Sequence, residues 1–414
     1  MKTQLLEILR CPFCGSPFRV VENSSLDISN DEINNGVLAC QCCAYPVVAG
    51  IPYLQTGPTA KTVFSLLGAG KTEQALFALL GLDEQRQESF QKLRNGKEAM
   101  TYKNALSILS PDIDGQYFLY RFSDPTFLVS DAVLSVVTEQ AANLTGKYLL
   151  DLCGGTGHLT RTLCSVSETD RVILADLSFW ELWLAKEFIA PSCQPVCCNA
   201  NQSLPFERDA FSLVFCSGAF EYIWARRALA DEMIRLVGDE GTVIVSHIHN
   251  SLCENPSQGM PLDPTGYRRL FQTLSPRIFK ESVFLDAVLT DSPIDLSANF
   301  SDEELSTEPS FIIVATDRKD VYRIWEPHTD KQISSRLDIN PLYQAEKNLS
   351  SLVLTLKFPS DYYEMEYEDC KRYLLSTVEL TNDQLANLQA GKLDDDLKRL
   401  AENYVLLDLP ERYL

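Results

Sequence analysis

Between Tyr148 and Asp176 the hydrophobic pattern of the chain changes three times in quick succession. Residues 148–152, YLLDL, form a short apolar run with the signature of a strand buried on both faces. Gly154, Gly155 and Gly157 follow at once, and Thr160 to Val166 continue as a helix. Arg171 to Asp176, RVILAD, read as a second strand closing on an acid. The amphipathic stretch LSFWELWLAKEFIA comes next. Gln194 to Cys198 then predict a third strand, DAFSLVFCSG a fourth, residues 225–237 a helix, Gly241 to Ile248 a fifth strand and Phe311 to Ala315 the last. Strands alternating with helices predict a doubly wound α/β sheet, with its ligand site at the C-terminal strand ends.

The flanks read less regularly. Residues 55–80 look like a linker running into a packed helix, and 81–103 like a charged, solvent-facing helical stretch. Ser123 or Asp124 caps a helix over roughly 125–142, with Pro125 in its first turn. Tyr117, Tyr120 and Arg121 precede it and are candidates for ligand contact. Residues 250–308 are rich in Pro and Gly up to 266 and predict a covering excursion over the pocket, in which Arg268 or Arg269 is placed to hold a substrate. Residues 320–414 read as an added α+β region with strands near 321–325 and 352–358. Residues 361–375 read as a helix exposing its acids, and Thr381 with Gln384 forms a capping box ahead of two short helices.

Composition narrows the class. The chain has 414 residues, 45% hydrophobic and 22% charged, an ordinary folded composition. A formal net charge of -21 argues against a nucleic-acid surface, which needs clustered Lys and Arg. The first residues lack the apolar core and cleavage site of a signal peptide, and no run of 18 apolar residues predicts a membrane span. A cytoplasmic location is the expectation. The 13 cysteines then favour reduced thiols and a metal site over disulfides.

Four of those thiols have metal-ligand spacing. Cys11 and Cys14 frame CPFC, and Cys40 and Cys43 frame CQCC, with Cys42 between them as an alternative ligand. Two CxxC pairs separated by a loop are the usual form of a tetrahedral zinc site, and such a small unit needs a metal to supply its missing stability. Residues 45–54, YPVVAGIPYL, predict a strand pair closing the knob. The cysteine positions and this ending resemble the zinc-ribbon-like domains that accompany or activate some methyltransferases. The resemblance implies a structural zinc.

DLCGGTG, the acid at 176, and the stretch NANQSLPFERDAFSLVFC resemble class I S-adenosylmethionine-dependent methyltransferases, most strongly over residues 115–250. That resemblance implies a Rossmann-like sheet over 115–319, with a zinc-ribbon-like domain at 1–56, a helical bridge at 57–114 and an accessory domain at 320–414. It also implies S-adenosyl-L-methionine as cofactor. Asp151 orients the loop and the methionine ammonium, Gly155 and Gly157 lie against the cofactor, and Asp176 holds the ribose hydroxyls. Leu177 flanks the adenine, Asn199 and Ala200 meet its edge, and Ser217 borders the reacting methyl. Cys153 stands where the family has its first glycine, a replacement that suits a backbone without positive φ. At the rim, His249 first and His247 second are the candidate proton acceptors, because a hydroxyl acceptor needs its proton removed. The expected acceptor is a small molecule, a hydroxyl of a sugar or secondary metabolite. An RNA acceptor and a catalytically inactive scaffold are the alternatives. A homodimer contact is one candidate role for the C-terminal region.

Overall fold

Seven strands build the central sheet. They are β1 (Tyr148–Leu152), β2 (Val172–Asp176), β3 (Gln194–Cys197), β4 (Phe211–Ser217), β5 (Thr242–His249), β6 (Pro276–Lys280) and β7 (Ser310–Ala315). Their spatial order is β6-β7-β5-β4-β1-β2-β3. Neighbours from β5 to β3 pair in parallel, and β7 runs antiparallel to both β5 and β6. This computed structural model describes residues 1–96, 99–141, 146–166, 171–255, 259–326 and 336–414. Residue 142 of the expected helix, and residues 256–258 of the expected excursion, lie outside the described residues.

Both faces of the sheet are covered, as the near-continuous apolar strands require. Leu149, Leu213, Phe215, Ile244, Ile312 and Val314 point into one core with the helices Pro125–Ala141, His158–Val166 and Phe179–Leu184. Their sequence neighbours Leu150, Val214, Val243, Val245 and Ile313 point into the other core with the helix Arg226–Val237. This strict alternation follows from the two-residue period of a strand.

The second face has a gap in its helical cover, because the connection from β3 to β4 contains no helix. The N-terminal region fills it. Its strands Arg19–Val21, Asp27–Ser29, Glu32–Ala39, Ala44–Val48 and Ile51–Pro52 form a small antiparallel sheet. Leu5, Leu9, Ile33, Tyr45 and Val47 share the second core with Ile173 and Val196. Backbone bonds stitch the two parts together: Leu54 N–H donates to Cys197 O at 2.8 Å, Arg10 N–H to Pro205 O at 2.9 Å and Glu207 N–H to Ile8 O at 2.8 Å. The cysteine-rich region is thus a layer of the main fold.

Residues 250–308 do not form the single covering excursion that the sequence predicts. Pro276–Lys280 is an edge strand of the sheet, and Glu281–Leu289 is a helix packed on its first face. The apolar Ile278 and Phe279 are fully buried there. Arg268 pairs with Asp302 at 2.7 Å, which leaves it no substrate role. The C-terminal region carries a three-stranded antiparallel sheet, Tyr343–Lys347, Ser351–Leu356 and Thr377–Thr381, with the predicted capping box at Thr381 and Gln384. Between its last two strands runs the helix Asp361–Glu366, which leans on the segment Tyr117–Ser123: Tyr373 Oη donates to Ser123 O at 2.7 Å.

Because Leu9 is fully buried in a core shared with the sheet, Leu9→Ala should destabilise the whole chain by about 3 kcal/mol. Urea denaturation followed by circular dichroism should still show one transition. Separate transitions for the N-terminal layer and the sheet would refute the shared core.

Candidate active site

A cavity of about 900 Å³ opens at the C-terminal ends of β1, β2, β4 and β5, where a doubly wound sheet binds its ligands. Asp151, Gly155, Asp176, Ser217, His247 and His249 line it, as do Tyr117 and Arg121. Gly157, Leu177, Asn199, Ala200 and Tyr120 are not among its lining residues. Gly157 instead allows close packing: a Cβ there would lie 2.9 Å from Ala185 Cβ. The Leu177 side chain is half exposed, while its carbonyl accepts from Gln55 Nε2 at 2.8 Å. Asn199 Oδ1 accepts from Asn201 N–H at 2.9 Å and shapes the following turn.

Two carboxylates, one buried and one half-buried, fix the glycine turn. Asp176 accepts Gly155 N–H at 3.0 Å and Ser178 N–H at 2.9 Å. Asp151 accepts the Thr160 hydroxyl at 2.6 Å and is 1% exposed. Burial pushes the Asp151 carboxyl up to about 7, opposed by the Thr160 bond and helped by the nearby Asp176. Burial also raises Asp176, against the backbone N–H groups that favour its charge. Glu181, across from Gly155, is pushed up to about 8 by burial and by Asp176. A cation bound here would relieve all three groups. Cys153 sits at φ 59°, so the backbone does require the left-handed region where the family has glycine. A side chain there costs roughly 1–2 kcal/mol.

The reacting end is built by a β-bulge in β5. The pairing with β7 shifts between Val245 and Ile248, and His247 takes φ 50°. Such bulges re-aim side chains beside active sites. Both imidazoles reach the cavity with ring centroids 5.1 Å apart. Their surroundings differ. His249 Nε2 lies 3.4 Å from Glu221 and its Nδ1 lies 3.3 Å from Ser310 Oγ, so both nitrogens are engaged. Burial, and then repulsion from His247, push His249 down to about 4. His247 Nδ1 is held by Glu281 at 3.1 Å, which leaves Nε2 for the cavity. Burial works against charge on His247, but Glu281 and Glu221 outweigh it and the net shift is upward. The two imidazoles therefore differ: His249 has a neighbour at each nitrogen, whereas the contact given for His247 is at Nδ1. His158 also lines the cavity, but it is buried and its two nitrogens are bonded to Thr156 and to Tyr413 at 3.0 Å each.

Residues 149–241 match the model of the methyltransferase domain family. The chain carries a class I methyltransferase-like domain. Among solved structures it is similar to the YcgJ protein of Bacillus subtilis (15% identity over 44% of this chain and 98% of that one, TM-score 0.31). It is also similar to a complex of the Trm112 methyltransferase activator with a methyltransferase from Haloferax volcanii (18%, 45% and 91%, TM-score 0.34). A third is Haemonchus contortus phosphoethanolamine N-methyltransferase 2 with S-adenosyl-L-methionine (16%, 56% and 61%, TM-score 0.37). No curated protein matches the chain. Among the described residues, no helix is long and apolar enough to cross a membrane.

Several lining residues of the methyltransferase-like domain were not legible in the sequence. Phe118 sits between the candidates Tyr117 and Tyr120 but is not itself one of them, and Glu181 belongs to a stretch read only as an amphipathic helix. Ser360, Tyr362, Tyr363, Glu366 and Tyr367 come from the C-terminal region. The acids and tyrosines of 361–375 do not form one exposed helix: the helix ends at Glu366, and a tight turn over Glu368–Arg372 follows. Their alternation of Tyr with Glu was the available signal, since aromatic rings at helical spacing rarely all face water.

The cysteines of the N-terminal layer converge, with one correction. The thiols that gather are Cys11, Cys14, Cys40 and Cys42, their sulfurs all within 4.8 Å of one another. Cys43 falls outside that set, although its Sγ lies 3.4 Å from Cys42 Sγ. Its N–H donates to Cys40 Sγ at 3.2 Å, its carbonyl accepts from Cys40 N–H at 2.9 Å, and it packs against the second core. Sulfur separations of 3.7 Å for Cys11–Cys42, 3.7 Å for Cys14–Cys40 and 3.6 Å for Cys40–Cys42 suit the roughly 3.8 Å edge of a tetrahedral zinc–thiolate site. Four thiolates fit zinc, and the site could hold it. Cys42→Ser should then abolish stoichiometric zinc measured by mass spectrometry of the purified chain, whereas Cys43→Ser should retain it. Retention in the first variant and loss in the second would restore Cys43 as the ligand.

Proposed function

We propose that this protein transfers a methyl group from S-adenosyl-L-methionine to a hydroxyl of a small molecule, with His247 as the proton acceptor. One observation carries the reading: an imidazole oriented by a buried carboxylate opens into the same cavity as the glycine turn and Asp176. Asp176 would hold the ribose hydroxyls, and Asp151 and Glu181 would offer negative charge to the cationic donor. The carboxyls of Asp151 and Glu181, raised by burial to about 7 and about 8, support a site built for a cation. The donor supplies the electrophilic methyl. The chain's own work is then alignment and proton removal.

Glu281 fixes the His247 tautomer, so Nδ1–H donates to the carboxylate and Nε2 carries the accepting lone pair. As the acceptor oxygen forms its bond to carbon, its proton passes to Nε2, and Glu281 balances the resulting imidazolium. His249 is engaged at both nitrogens and is assigned to shaping the pocket. A small-molecule acceptor is favoured over RNA by the carboxylate-rich lining, in which Arg121 is already paired with Asp124 at 2.9 Å. For the metal we propose a structural role, since the thiol cluster belongs to the layer that covers β2 and β3.

His247→Ala should lower kcat by about 10²–10⁴ while donor affinity, measured calorimetrically, changes little. Equal turnover would remove the base. The pH profile gives a second check. Activity requires neutral His247, so kcat rises with pH through a pKa above the ordinary 6.5. Glu281 stabilises the protonated form, so Glu281→Gln should move this acidic limb to lower pH and reduce the plateau. A limb that stays in place would uncouple the pair.

A further inference from the structure

Among the described residues, two polar atoms of the cavity lining have no hydrogen-bond partner. Tyr363 Oη and Glu221 Oε2 are buried without a hydrogen bond, and each residue is only 1% exposed. Both residues line the cavity, one from the C-terminal helix and the other just after β4. Leaving such an atom unsatisfied costs roughly 1–3 kcal/mol, so the pair has the character of a recognition site awaiting polar groups. A site built this way rejects analogues that lack those groups.

The surroundings define the ligand further. Tyr117 and Tyr363 meet edge to face with centroids 5.1 Å apart, and Tyr363 and Tyr367 lie 4.6 Å apart, forming an aromatic wall suited to a ring. The whole lining carries the carboxylates of Asp124, Asp151, Asp176, Glu181, Glu221 and Glu366. Against them stands the Arg121 guanidinium, already committed to Asp124. His247 is backed by Glu281. Among the described residues of the lining, Arg121 is the one Arg or Lys side chain and it is paired, and like charges placed in one pocket exclude wrong partners.

We infer that the acceptor is a hydroxylated ring compound without anionic groups, neutral or cationic, whose polar groups bond Tyr363 Oη and Glu221 Oε2. This rests on the methyl-transfer reading above. The acceptor hydroxyl gives its proton to His247 and its oxygen takes the methyl, with the thioether cofactor product leaving.

The test uses the full-length chain, isotope-labelled S-adenosyl-L-methionine and a protein-free metabolite extract of the source cells, divided by anion exchange into retained and unretained pools. Label is expected in small molecules of the unretained pool. Label in phosphorylated or carboxylated products would overturn the acceptor class while leaving methyl transfer standing. No label in either pool, with donor binding intact by calorimetry, would sink both. For the acceptor recovered, Tyr363→Phe keeps the ring and deletes the hydroxyl. The expected result is a rise in acceptor KM of about 5-fold, with donor Kd unchanged. An unchanged KM would overturn the Tyr363 assignment.

Discussion

The hydrogen bond from Gly155 N–H to the Asp176 carboxylate ties the turn after β1 to the end of β2. Nearly everything about the cavity depends on it. The turn is left-handed at Cys153, Gly155 and Gly157, a path that no short loop adopts without an anchor. A second carboxylate, Asp151, holds the helix behind the turn through Thr160. Burial disfavours charge on both acids, Asp151 fully and Asp176 partly covered, and a cation bound beside them would offset this. Stability and ligand affinity are therefore coupled at the same two residues. Glu181 joins them, because a Cβ on Gly155 would stand 3.1 Å from its carboxylate.

The N-terminal layer extends the same dependence outward. A doubly wound sheet needs cover on both faces, and here the β3–β4 connection provides none. The cysteine-rich layer replaces the missing helix and is bonded to the edge of the sheet through Leu54 and Arg10. A unit this small buries too little core to be more than marginally stable alone. A metal at its four thiols would add stability that passes, through the shared core, to β2 and β3, and so to Asp176 at the end of β2. The thiol cluster can thus act on the cavity without touching it.

Local pattern made the sheet legible. Short apolar runs, a glycine turn and a terminal acid identify β1, β2 and the intervening helix with few alternatives, and the capping box at Thr381 was equally local. What the sequence hid was long-range. β6 begins at Pro276 and reads as loop, because a proline opens it and its pairing partner, β7, lies more than thirty residues away. Glu281 meets His247 only because β6 places the following helix beside β5. Tyr363 and Glu366 reach the cavity because the C-terminal region folds back on Tyr117–Ser123, which no periodicity encodes. Cys42 and Cys43 are adjacent, so spacing alone could not separate a ligand from a residue whose backbone bonds close the turn. The surroundings of His249 were hidden for a related reason: Ser310 and Glu221, distant in sequence, lie beside its nitrogens.

Two non-glycine residues in the cavity wall, Cys153 and His247, hold left-handed backbones. Strain of this kind persists only where surrounding structure enforces it, and it clusters at functional positions. For His247 the bulge supplies the reason. A glycine would relax the backbone there but would remove the imidazole that the dyad needs, so the strain and the chemistry come together. The bulge also advances the register by one residue, which keeps Ile248 in the core while both histidines face the cavity. The Cys153 side chain packs against the second core, with its thiol beside Cys216. The strain at 247 is thus tied to a nitrogen at the reacting end, and that asymmetry makes the bulge, more than the glycine turn, the feature that distinguishes this cavity from a bare nucleotide-binding fold.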